Sequence, residues 1–153
     1  MMDRRAFVLT FGATVAVPAM ARANTGILTP QEAHDAMTAG RLLLVDIRTP
    51  DEWKQTGVAE GAWPLDMRDR KFGPSLMAMI DRNPDHKISV ICRTGSRSGY
   101  LVDVLKQNGI HGVLDVSEGM VGGRYGPGWI KTGLPIVKSY EALSAMPKDL
   151  RAS

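Results

Sequence analysis

The sequence predicts an α/β fold with a mostly parallel central sheet flanked by helices on both faces. Three branched apolar runs carry that prediction: LLLVDI (42–47), KISVIC (87–92) and GVLDV (112–116). Each is short enough for a strand buried on both faces, the pattern of parallel sheets. Between them lie segments with helix-start and helix-stop chemistry, so successive strands need crossover connections. At 153 residues the chain suits one domain with a real core and is too short for two.

The first 23 residues, MMDRRAFVLTFGATVAVPAMARA, read separately as an export signal. Arg4 and Arg5 precede an uncharged run from Ala6 to Met20, and Ala21-Arg22-Ala23 supplies a small-residue cleavage site. The run falls short of the roughly 20 residues a membrane-spanning helix needs, so no stable membrane span is expected. The Arg pair resembles a twin-arginine signal, and a general secretory signal fits the same run. Either predicts a bacterial periplasmic or secreted protein after cleavage near Ala23. The 19 basic and 16 acidic residues include Arg4, Arg5, Arg22 and Asp3; without these four they become 16 and 15, a net +1. Nucleic-acid binding thereby loses its main support.

The domain proper is expected over 24–138, with 139–153 a short, poorly anchored terminal helix and tail. ILTPQEAHDAMTAGR opens with Thr29 as cap, Pro30 at the first helical position and Glu32 closing a capping box; Gly40 ends the helix. TPDEW repeats the device with Thr49, Pro50 and Glu52. A short strand fits around Ala62-Trp63. GPSLMAMIDRNPD predicts a helix with Leu76, Met79 and Ile80 on one face, stopped at Asn83-Pro84. After Cys92, Leu101, Val104 and Leu105 mark a helix face that Asn108-Gly109 terminates. The glycine-dense segment from Glu118 to Ile136 is read as looping back over the domain.

Cys92 is the sole cysteine, so no internal disulfide can form. In an oxidising compartment a lone thiol is buried, paired with another chain, or retained because it reacts. It ends the second strong strand, and in parallel sheets ligands bind beyond the carboxyl ends of strands. Cysteine is among the most buried residue types, but here the next five positions are Arg93-Thr94-Gly95-Ser96-Arg97. A loop that curls there turns its N–H groups inward, joins the free N–H groups of the following helix, and stabilises a thiolate and a small anion. Gly95 supplies the freedom for the curl. Enzymes that use a thiolate cradle on phosphate or arsenate carry the arginine six positions after the cysteine. Here Arg97 is five positions on and Ser98 stands sixth, a smaller ring suited to sulfur carried on Cys92.

LLLVDIRTPDEWKQTGVAEGAWPLDM, CRTGSRS and GPGWIKTGLPI together resemble the rhodanese-like sulfurtransferases over about residues 27–136. One departure is Val58-Ala59-Glu60, where the family usually has His-Ile-Pro. The resemblance implies that Cys92 attacks the outer sulfur of a donor such as thiosulfate, and that a thiol or cyanide takes the sulfur from the resulting persulfide. Arg93, Thr94, Gly95, Ser96 and Arg97 would bind the anionic donor and the persulfide charge. No metal and no organic cofactor is implied, and His34, His86 and His111 lack ligand spacing. Asp46 and Arg48 could stand beside the site, although holding adjacent loops is the favoured role. Glu52 and Trp53 read as cap and core; Arg124, Tyr125 and Trp129 are candidates for the pocket mouth. Two alternatives stay open: a persulfide carrier that serves a sulfur-accepting partner protein, and a thiolate-cradle phosphatase or arsenate reductase.

Overall fold

The computed structural model describes residues 25–151; the expected export signal lies outside them. Five strands form one parallel sheet in the order β1, β6, β5, β2, β4: Ile27–Leu28 (β1), Leu114–Val116 (β6), Lys87–Ile91 (β5), Leu42–Asp46 (β2) and Trp63–Pro64 (β4). A second, antiparallel pair joins Val58–Ala59 (β3) to Ile136–Val137 (β7). All five residues of β2 and the last four of β5 are buried. Their uninterrupted apolar runs therefore reflect strands covered from both sides.

The helices divide between the faces. Phe72–Arg82 (α3) and Ser96–Gln107 (α4) cover one side, where Leu76, Met79, Leu101 and Leu105 meet Val45, Ile88 and Val90. On the other side lie Pro30–Thr38 (α1), Pro50–Thr56 (α2) and Gly128–Lys131 (α5), with Ala33, Trp53 and Trp129 against Leu44, Ile91 and Val116. Both capping boxes form as read: Thr29 and Thr49 each accept from the backbone of the glutamate three residues on, and each glutamate reaches back.

Two expectations need correction. On α4 the buried apolar residues are Leu101, Val102 and Leu105, while Val104 is only half-buried; the helix is rotated so that Val102 rather than Val104 faces the sheet. The C-terminal segment is also anchored. Ser139–Ala145 (α6) and a 3-10 turn at Lys148–Leu150 bury Ala142, Met146 and Leu150, and Arg82 of α3 pairs with Asp149 at 2.6 Å. Burying three apolar side chains offsets the cost of ordering a short tail. Among the described residues, no helix is long and apolar enough to cross a membrane.

Candidate active site

The carboxyl ends of β2, β4 and β5 lie side by side, since Asp46 is in register with both Pro64 and Ile91. Cys92 follows directly, 1% exposed, and its thiol is free. The loop from Cys92 to Arg97 closes back on the sulfur. Gly95 N–H donates to Cys92 Sγ at 3.1 Å, and Ser98 Oγ lies 3.4 Å from the same atom.

That closure depends on glycine. Gly95 has φ +97, and a Cβ there would run into the carbonyl oxygen of Ser117. The neighbouring chain braces the loop from outside. Met120 N–H donates to Cys92 O and Val121 N–H to Arg93 O, each at 2.9 Å. Gly119 lies so close to Arg93 that no side chain fits between them. Ser96, Arg97 and Ser98 open α4, and among the described residues their N–H groups have no backbone acceptor. A helix start of this kind leaves free donors and a positive end, both suited to negative charge.

Arg97 does not hang free over the ring. Its guanidinium holds Glu52 through two bonds, NH1 to Oε2 at 2.9 Å and NH2 to Oε1 at 2.6 Å. Glu52 is also the capping residue of α2, accepting from Thr49 N–H at 3.0 Å. One carboxylate thus starts a helix and fixes the sulfur loop. The Arg97 bonds hold the Glu52 carboxyl down to about 2, against the opposing effect of burial, and the same pairing raises the affinity of Arg97 for its proton. Arg93, by contrast, is exposed, and no ion pair among the described residues engages it.

Asp46 and Arg48 form a wholly buried pair below the loops. Asp46 accepts from Arg48 N, Nε and NH2, while the rest of the guanidinium donates to Thr56 Oγ1 and Gly57 O. This ties the end of β2 to the end of α2, the holding role favoured from the sequence. Among the described residues, no hydrogen bond joins either of them to Cys92. Asp66 and Arg68 repeat the same fold of the chain after β4, with Arg68 exposed. The sequence signal for this second pair is the repeat of Asp-x-Arg at 46–48 and 66–68.

Of the candidates for the pocket mouth, Trp129 is fully buried and donates to Pro135 O. Tyr125 is exposed beside Gly95, with the Arg124 guanidinium 5.0 Å from its ring centre. Two clefts of about 510 and 480 Å³ lie elsewhere, and Cys92 lines neither. The sulfur is surrounded by the loop that closes on it, with Gly95 N–H at 3.1 Å. Ser98 also belongs to this surrounding.

Comparison with known proteins places these features in context. The family described as the rhodanese-like domain matches residues 29–124. A sulfurtransferase of Allochromatium vinosum is 36% identical over 96 residues, covering 63% of this chain and 78% of that protein. An uncharacterised protein of Rickettsia prowazekii is 28% identical over 102 residues, covering 60% and 80%. Among solved structures, the polysulfide-sulfur transferase homodimer of Wolinella succinogenes aligns with TM-score 0.55 at 23% identity, covering 77% and 85%. A Rhodopseudomonas palustris protein described as a possible tyrosine phosphatase aligns with TM-score 0.52 at 23% identity, covering 75% and 88%. At such identities these two structures speak to the fold alone.

Proposed function

The chain belongs to the rhodanese-like family, a family of sulfur transfer, and on that premise we propose that it moves a sulfane sulfur from an anionic donor such as thiosulfate to cyanide or a thiol through a persulfide on Cys92. The observation that carries the reading is the small ring closed on one sulfur, with Gly95 N–H at 3.1 Å from Sγ and the arginine only five positions on.

The thiolate of Cys92 attacks the donor's outer sulfur. A new S–S bond forms from the Sγ electron pair, the donor's own S–S bond breaks, and sulfite leaves with that pair. The negative charge then sits on the outer sulfur of the persulfide, where the free N–H groups at the start of α4 stabilise it. An acceptor takes the outer sulfur and returns the thiolate. Arg97 is neutralised by Glu52 and holds the ring in shape, so exposed Arg93 supplies the charge that draws the anionic donor. The cycle as written draws on no metal or cofactor. Export to the periplasm or beyond rests on residues 1–23 and is part of the same proposal.

The test is turnover of thiosulfate with cyanide, read as thiocyanate. The wild-type chain is expected to turn over many times and Cys92→Ser not at all. A single equivalent of sulfur per chain followed by a stall would reassign the protein as a carrier for a partner. Hydrolysis of an aryl phosphate without thiocyanate formation would overturn the reading.

A further inference from the structure

Beside the sulfur loop stands a small hairpin built mostly of glycine. Gly123 and Gly126 pair across it, with Gly123 N–H donating to Gly126 O at 2.9 Å, so Arg124 and Tyr125 form a two-residue tip. Its legs leave no room for side chains. A Cβ on Gly122 would strike the carbonyl of Pro127, one on Gly126 the carboxyl of Glu118, and one on Gly128 the backbone of Gly122. Glu118 also accepts from Gly128 N–H at 3.0 Å, which fastens the far leg to the start of the segment. Apart from Pro127, the only side chains from position 122 to 128 are those of Arg124 and Tyr125.

The hairpin segment packs along three successive residues of the sulfur loop. Gly119 lies against Arg93, and a Cβ on Gly123 would meet Thr94 at 3.4 Å. The Tyr125 ring comes within 3.3 Å of where a Cβ on Gly95 would stand, and Gly95 is the residue whose N–H holds the sulfur. Both tip side chains are exposed, and the Arg124 guanidinium rests on the Tyr125 ring, 5.0 Å from its centre. Such a contact restrains a long side chain without neutralising its charge. Among the described residues no ion pair engages Arg124. Arg97, by contrast, is neutralised by Glu52.

We propose that Arg124 is a specificity-determining residue of the sulfur site: it binds the oxyanion end of the donor, the end that leaves as sulfite, and so favours doubly charged donors over singly charged ones. Tyr125 is its positioning residue and holds the guanidinium beside the loop. With exposed Arg93, Arg124 makes a second unpaired cation available to the donor. The rigid support fits this role, because a guanidinium on a mobile loop would lose its freedom at every binding event.

This inference rests on the sulfur-transfer reading, and one arm of its test needs no sulfur transfer, so either can fail alone. Cys92 is the sole cysteine, and it can be alkylated by iodoacetate, an anion, or by iodoacetamide, its neutral counterpart. The ratio of the two rates cancels exposure and thiolate content and reports the positive charge met on approach. In Arg124→Gln that ratio is expected to fall by about threefold at low salt, and by less as salt is raised. Tyr125→Leu is expected to lower it in the same direction and Tyr125→Phe to restore it, a response that mere packing on Gly95 would not give. In turnover, Arg124→Gln is expected to raise KM for thiosulfate, a dianion, by about tenfold with a much smaller change in kcat. For benzenethiosulfonate, a monoanion, the rise in KM is expected to be about threefold. An unmoved alkylation ratio, or KM values that rise by the same factor for both donors, overturns the proposal. Absence of turnover in the wild-type chain counts against the transfer reading, and the alkylation ratio then decides on Arg124.

Discussion

Glu52→Gln separates the two tasks of one side chain. Glutamine can still accept from Thr49 N–H and so keep the cap of α2, but it cannot hold Arg97 through two charge-assisted bonds. The fall of the Glu52 carboxyl from 4.5 to about 2 corresponds to about 3 kcal/mol at roughly 1.4 kcal/mol per pH unit. That is a ceiling. Arg97 is 35% exposed and Glu52 15%, so solvent screens the pair, and part of the lowering comes from Thr49 bonds that glutamine retains. A loss of about 1–2 kcal/mol at neutral pH is expected from urea unfolding. A carboxyl held below its unfolded value contributes stability that is present above pH 4.5 and is lost as pH falls toward 2. The gap between wild type and variant should therefore close over that window. Asp66 and Asp149, also held low by arginines, cancel because both chains keep them. A gap that stays constant from pH 7 to pH 3, or no gap at neutral pH, would refute the reasoning.

Two further outcomes follow from buried geometry. Arg48→Ala leaves the fully buried Asp46 charge without its partner and should cost about 3–5 kcal/mol, read as a lowered midpoint in chemical denaturation; a loss below about 1 kcal/mol would contradict the burial of the pair. Gly95→Ala must move either φ +97 or the Ser117 carbonyl, so sulfur transfer should fall by at least about tenfold while the far-UV spectrum stays native. Unchanged transfer would show that the closed ring is not required.

The legible parts of this protein were those written in neighbouring residues. Thr29 with Glu32 and Thr49 with Glu52 start their helices by contacts three residues long, and the runs at 42–46 and 87–91 identify themselves by being apolar throughout. The sulfur loop was readable because Cys92, Gly95 and Arg97 are packed into six positions at a strand end. What escaped depends on distance in sequence. Glu52 looked complete as a cap, and its grip on Arg97, 45 residues away, has no local trace. Strands β1, β3 and β7 have two residues each, too few for any periodicity. Met146 and Leu150 sit in a polar tail and are held only because α3 and the sheet offer a surface to cover.

The central claim is that Cys92 carries sulfur, and intact mass of the protein after exposure to thiosulfate addresses it most directly. The account predicts a gain of about one sulfur atom per chain (~32 Da), lost on adding cyanide or a thiol and absent from Cys92→Ser. No gain in the wild-type chain, or the same gain in Cys92→Ser, would contradict it.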